Sequence, residues 1–255
     1  MFSSLFTPFK HLNAWHVKVL IVTQALLALG LWFTVGGLIP TPIDVLHALQ
    51  KMADKGLLQE LWVSVKTLVI SLALATVIST SIAALSTALI FRPIANAASG
   101  MRFLGFAGLT FIFLLIADGA FQLKVMLLTF GITVFMTTSM LSEVRSITQD
   151  ELDYASTLKL TGWKAVLELF IIGRFDKVLD LMRQNAAVGW TLLAMVEGIT
   201  RSQGGIGAML LVENKYLNLS TVFAIQLVIL LYGIVQDHVL AAARIWLCPY
   251  LQHND

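Results

Sequence analysis

The sequence predicts an all-α integral membrane protein with about six transmembrane helices, and three observations carry that prediction. Of the 255 residues, 58% are hydrophobic and 13% charged, against about 45–50% and about 25% in a soluble domain. Mean hydropathy is +0.83. The apolar residues also gather into runs separated by short polar segments, which is the pattern of spans and loops rather than of a mixed globular core. The same composition excludes other classes. A single cysteine, Cys248, rules out an internal disulfide framework and a cysteine-based metal cluster. The five histidines are scattered without ligand spacing, and a net charge of +2 spread over short loops makes no nucleic-acid patch.

The elements follow in order, as one transmembrane domain over 1–255. A short arm bearing Lys10 and Lys18 leads into the first span, 17–39, which reaches the ~20 residues that a crossing helix needs. It is too long for a signal-peptide core and no small-residue cleavage site follows, so it reads as retained. Pro40-Thr41-Pro42 stops it. Residues 41–60 are polar with apolar positions at helical spacing, which predicts an interfacial helix. The second span, 61–91, is long enough to tilt or to extend past the lipid. Within it Ser71, Ala75, Ser79, Ala83 and Thr87 recur every four residues. Such a stripe admits a close neighbour, and it fits either packing within the chain or a face on a translocation path. Arg92-Pro93 ends this span. The third, 103–117, is short and aromatic-rich, and Asp118-Gly119 turns into the fourth, 121–141, where Thr129, Thr133 and Thr137 are again four apart. The fifth, 186–199, is short and rich in small residues. The sixth, 219–243, precedes a short tail.

Between the fourth and fifth spans lies the most informative stretch, the polar loop 146–177. Thr148 and Glu151 have the spacing of a capping box, in which each side chain accepts a hydrogen bond from the other's backbone N–H. Asp150, Glu151 and Asp153 put negative charge in the first turn, where the helix dipole favours it. A surface helix is expected over 149–160 with Leu152, Ala155 and Leu158/Lys159 along one face. Thr161-Gly162 breaks it, and 163–170 reads as a second amphipathic helix. Lysine and arginine set the orientation. With the N-terminus inside, six spans place Lys51, Lys55, Lys66, Lys124, Arg201 and Lys215 outside and the remaining eleven of 17 basic residues in the cytoplasm. That predicts N-in, C-in and a cytoplasmic loop. Paired helices on one long cytoplasmic loop offer a docking surface for a partner; the alternative is an amphipathic helix resting on lipid headgroups, which its acidic face disfavours.

Over residues 38–249 the chain resembles the permease subunits of ATP-binding-cassette importers, in the nitrate/sulfonate/taurine branch. Four stretches carry the likeness: Ile39-Pro-Thr-Pro-Ile-Asp44, LLQELWVSVKTL at 57–68, the cytoplasmic loop, and the last third with Glu197-Gly198, Gly204-Gly-Ile-Gly207 and Leu231-Tyr-Gly-Ile-Val-Gln-Asp237. In that family the loop carries a Glu-Ala-Ala triplet, a glycine four residues on and a later Leu-Pro. Here the triplet falls on Asp153-Tyr154-Ala155 and Trp163 matches an aromatic after the glycine. Lys159 replaces the glycine, and Ile172-Gly173 stands at the Leu-Pro. The departure predicts a bend moved to Gly162 and Gly173 as the helix breaker, because lysine reaches glycine's conformations only at a cost. The resemblance implies a type I importer permease that dimerises. Its coupling residues would be Glu151, Asp153, Tyr154, Ala155, Lys159, Thr161, Gly162 and Trp163. It further implies separate ATPase subunits holding ATP and magnesium, an extracytoplasmic substrate-binding protein, a bacterial inner-membrane location and a small solute as cargo, such as nitrate, a sulfonate, taurine or bicarbonate.

The chain itself carries no phosphate loop (glycine, four residues, Gly-Lys, then Ser or Thr), so no ATP or other cofactor is expected on it. No nucleophile elbow, zinc-protease motif or paired catalytic carboxylates occur, which points away from an enzyme. Glu197 stands four residues before Arg201, and an i,i+4 ion pair is its plain reading. The functional reading puts Glu197, Arg201, Gly204, Gly205 and Gly207 at a substrate path or outer gate, since ionisable groups within membranes mark such paths. Asp237-His238 reads as an interfacial cap. Two further functions stay open: a degenerate permease that pairs with a standard one or anchors an ATPase, and an ATP-independent channel or carrier, for which several charged residues at mid-membrane depth would be expected.

Overall fold

A computed structural model of the chain describes residues 14–34, 39–200 and 204–249, and every regular element among them is helical. In chain order these are α1 (Ala14–Thr34), α2 (Pro42–Asp54), α3 (Leu57–Leu85), α4 (Arg92–Gly100), α5 (Phe106–Ile116), α6 (Ala120–Arg145), α7 (Gln149–Thr157), α8 (Trp163–Val166, continued by a π-helical turn Leu167–Ile172), α9 (Phe175–Ile199), α10 (Ile206–Lys215) and α11 (Leu219–Leu247). Four of them, α1, α3, α6 and α11, are long and apolar enough to cross a membrane, or five if the bent segment 89–116 counts as one. The chain is thus a multi-pass, all-α membrane protein.

The count is four or five among the described residues against the six expected; α9, at the place of the expected fifth span, is not among them. Three of the expected segments also have different bounds. The second stops at Leu85, not at 91. The Ser86 and Thr87 hydroxyls turn back onto the carbonyls of Ala83 (2.6 Å) and Ala84 (2.7 Å), which competes with helix propagation. Extended backbone at Ala88 then breaks the run, and Pro93 sits in the first turn of α4, where a missing N–H costs nothing. The third expected span holds only the 11 residues of α5. That is about 16 Å of helix, half the hydrocarbon thickness of ~30 Å, because Leu104 and Gly105 are extended. The fifth begins at Phe175 instead of 186. Its early turns carry Asp176, Asp180 and Arg183, whose charges are met by Arg244 at 3.6 and 3.4 Å and by Asp237 at 3.2 Å. Those partners lie more than 50 residues away, so local hydropathy does not reveal the helix.

The core is a parallel pair. Ser71 Oγ donates to the Val125 carbonyl (3.4 Å) and Ser79 Oγ to that of Thr133 (3.2 Å), eight residues further along each helix. Ser71, Ala75, Ser79 and Ala83 are all fully buried. The stripe is therefore a packing face within the chain, where small side chains let α3 and α6 approach closely. Because the two helices run the same way, residues 86–119 must return along them. They do: Asn96 accepts from Arg145 (3.0 Å), Ser99 bonds Thr138 (2.7 Å), and Phe113 meets Phe130 with ring centroids 5.7 Å apart. α9 runs back beside α6, and α11 returns beside α9, with Trp190 Nε1 donating to Gln236 (2.8 Å) and Arg244 reaching Asp180. The bundle consequently has two ends. One holds Leu85, Arg145, α7, α8 and the end of α11. The other holds α2, the start of α3, the turn before α10 and the start of α11.

Candidate functional site

At the first end, the loop folds as the capping box requires. Thr148 Oγ1 accepts from the Glu151 N–H (3.3 Å) and Glu151 Oε2 accepts from the Thr148 N–H (2.7 Å). These bonds, with the nearby Arg174 guanidinium, hold the Glu151 carboxyl below the usual carboxylate range. Asp153 accepts from Gln149 Nε2 (3.0 Å), one turn earlier. Ala155 is the one buried residue of α7, 1% exposed, and fastens the helix down. Leu152 and Leu158, expected on the same face, are exposed instead, as are Tyr154 (65%), Lys159, Thr161, Gly162 and Trp163 (56%).

The helix ends at Thr157, three residues before the expected 160. Lys159 takes φ +58°, its N–H bonds the Ser156 carbonyl (2.9 Å), and the Leu160 N–H bonds that of Ala155 (3.0 Å). This is the Schellman arrangement, with lysine at the left-handed position that glycine usually fills. The expected transfer of the bend to Gly162 is therefore corrected: Lys159 keeps the bend, and Gly162 adds a second one at φ +58°, ψ −130°. The second amphipathic helix is likewise only Trp163–Val166 before the π-helical turn. Gly173 closes that turn through its N–H on the Glu168 carbonyl (2.8 Å), and a Cβ there would press on the same oxygen. Phe170, fully buried, plugs the turn into a cluster with Met136, Met140 and Val178.

Arg174 binds this loop to the bundle. Its guanidinium donates to Ser146 Oγ (2.7 Å), to the Ser146 carbonyl (3.3 Å), to both Glu151 oxygens (3.1 and 3.2 Å) and to Glu143 (3.4 Å). One side chain thus ties the end of α6 and the first turn of α7 to the start of α9. No local spacing signals it, since its partners stand 23 to 31 residues away.

At the other end, the predicted gate residues come together as a buried polar lock. Glu197 is fully buried; its carboxylate accepts from Ser64 Oγ (2.7 and 2.9 Å) and from the Gly207 N–H (2.8 Å). Ser64 Oγ in turn accepts from the Ile206 N–H (2.8 Å), and Glu60 accepts from the Gly205 N–H. Two carboxylates and a hydroxyl therefore satisfy the open N–H groups at the start of α10, a role that normally falls to one N-cap residue. Lys124, also fully buried, donates to the Gly204 carbonyl (2.5 Å), within electrostatic reach of Glu197 and Glu60. The glycines are needed here for space. A Cβ on Gly205, at φ +110°, would collide with the Glu197 carboxylate, and one on Gly207 would meet the Ala194 backbone at 2.6 Å. Arg201, and with it the Glu197–Arg201 ion pair, lies outside the described residues. Ser64 and Lys124 were missed: the first looks like an ordinary small residue, the second like a surface lysine.

Asp237 pairs with Arg183 (3.2 Å) and His238 Nδ1 lies 2.8 Å from the Ile234 carbonyl. Both line a groove of about 430 Å³ between α9 and α11, together with Trp190 and Gln236. Among the described residues no group of acidic, histidine or cysteine side chains could hold a metal ion. No protein-family model matches the sequence, and no curated protein matches it either.

Proposed function

We propose that this chain is the membrane subunit of an ATP-driven importer, coupled to a separate ATPase through α7 and α8. The observation that carries the reading is the loop's construction. A force-transmitting helix must be rigid and fixed to the bundle, and it must leave apolar side chains uncovered for its partner. α7 is capped by Thr148 and Glu151, fixed by Ala155 and clasped by Arg174, while Tyr154, Leu158 and Trp163 stand exposed beside Asp150 and Asp153. Exposed aromatic and aliphatic groups ringed by charge are the usual face of a protein interface. ATP closure on the partner would pull α7, and Arg174 would pass the pull to both α6 and α9. The absence of a phosphate loop from the sequence supports a separate energy source.

In this reading the N-terminus and the α7 end are cytoplasmic, two copies or one copy and a homologue form the path, and the membrane is a bacterial inner membrane. The cargo is a small solute of the oxyanion or taurine kind, delivered by an external binding protein. A second reading rests on Lys159. A strained left-handed lysine at the bend supports a degenerate permease that partners a standard one or anchors an ATPase.

The test is co-purification of the intact protein in mild detergent, beside a Tyr154→Arg, Leu158→Arg variant. Ala155 is left alone because its replacement would unseat α7 itself. We expect an ATPase with the wild type and its loss from the variant at unchanged yield and melting temperature. An ATPase retained by both would remove the loop from the interface, and none with either would sink the ATP-coupled reading. Two like copies or one copy beside another permease would separate the two readings.

A further inference from the structure

At the end of the bundle opposite Arg174, α2 lies against the first turn of α11 and leaves a pocket of about 280 Å³, several times the ~30 Å³ share of one water molecule. His47 and Lys51 of α2 and Lys55 at its C-cap line it at intervals of four residues, facing Asn218, Ser220 and Thr221. Neither lysine has an acid partner among the described residues, where every ion pair belongs to Arg174, Arg183 or Arg244. One acid, Asp44, also lines the pocket. Its carboxylate is engaged in its own helix cap, accepting from the Thr41 hydroxyl (2.6 Å) and N–H (3.1 Å).

The opposite wall is the positive end of a 29-residue helix. Asn218 precedes it but gives it no side-chain cap; its Nδ2 donates to the Glu213 carboxylate (2.8 Å). Backbone carbonyls take most of its first N–H groups, that of Leu219 bonding Leu217 (3.0 Å) and that of Thr221 bonding Asn218 (3.1 Å). The N–H of Ser220, a residue that lines the pocket, and the helix dipole still favour an anion there. Thr221 adds an independent sign. It is 7% exposed, it lines the pocket, and its hydroxyl takes no hydrogen-bond partner among the described residues. That hydroxyl reaches the open space of the pocket, where it can donate to an anion.

We propose that this pocket is an oxyanion site, taking a phosphate-like group on Lys51, Lys55, His47 and the Thr221 hydroxyl. The group arrives either as a free anion or as the headgroup of an anionic lipid, which Phe223 and Leu219, exposed just below on α11, would accommodate. The inference does not rest on the transport reading, since it needs no ATPase.

The experiment uses the full chain in nanodiscs. Inorganic phosphate is titrated calorimetrically in discs of phosphatidylcholine alone, and lipid carried through purification is counted from discs with about 20% phosphatidylglycerol. Wild type is compared with Lys51→Gln, Lys55→Gln, with Thr221→Val, and with the charge-matched control Lys66→Gln, Lys215→Gln. Loss of both pocket lysines is expected to weaken binding by roughly tenfold or more, and Thr221→Val by a few-fold, with the control near wild type. Phosphate heat that the pocket variants lose identifies a free-anion site. Phosphatidylglycerol enrichment that they lose, without phosphate heat, identifies a headgroup site. Binding equal in all four proteins, or none in wild type by either measure, overturns the proposal.

Discussion

Lys159 holds a conformation that costs a β-carbon-bearing residue about 1 kcal/mol or more, yet the chain bends there. Glycine at that position should release the cost. Lys159→Gly is expected to stabilise the tip of α7 by about 1 kcal/mol, seen as slower hydrogen exchange of the Leu160 amide, whose bond to Ala155 closes the bend. Unchanged exchange would mean that the bend is not strained. Glu151 makes the complementary case. Its carboxyl titrates below the ordinary value of 4.5 because the folded loop bonds its charged form. That contribution is complete above about pH 4.5 and is lost as pH falls through Glu151's own lower value. Acidification should thus loosen α7 before the bundle, and Glu151→Gln should remove that pH dependence in the exchange of the first-turn amides. If the loop and the bundle lose protection together in both proteins, Glu151 is not the group that titrates.

At the scale of elements, α10 is docked by its first turn, so its seat depends on atoms that sequence spacing does not display. Gly205→Ala would push a methyl group into the Glu197 carboxylate from a left-handed backbone. We expect a loss of several kcal/mol, of the order found when a buried ionic partner is displaced, read as a large drop in melting temperature. Gly233→Ala, with open space around it, should change little; equal effects at both positions would refute the lock. The sequence made the long helices legible because apolar length alone defines them, and it made the capping box legible because that signal spans four residues. It hid the start of α9, whose Asp176 and Asp180 look like loop residues until Arg244 is beside them. It hid the break after Leu85 as well, since Leu89, Ile90 and Phe91 are as apolar as the helix before them. Glu197 was visible as an unusual acid, but its partner Ser64 stands 133 residues away.

Across the whole molecule, the two ends differ in what they present: a capped, partly apolar loop at one and a basic pocket at the other. Their sidedness is directly measurable because Cys248 is the sole cysteine and is buried. In a Cys248→Ser background, Lys55→Cys and Lys164→Cys should react with an impermeant maleimide from opposite faces of sealed vesicles, and the proposed orientation puts Lys164→Cys on the cytoplasmic face. Labelling from one face would contradict the arrangement of α3, α6 and α9 as parallel and antiparallel passes. That arrangement also imposes an order on biosynthesis. The serines of α3 donate to carbonyls of α6, and α6 lies beyond a 34-residue return path that must first fold back along the place it will occupy. As the chain leaves the ribosome, α3 therefore waits in the lipid with its hydroxyl-bearing face unpaired while the bent segment 89–116 is made. The contact between α3 and α6 cannot close until that return path has been made, and the interval before it closes is when a chaperone or a neighbouring helix has its opportunity.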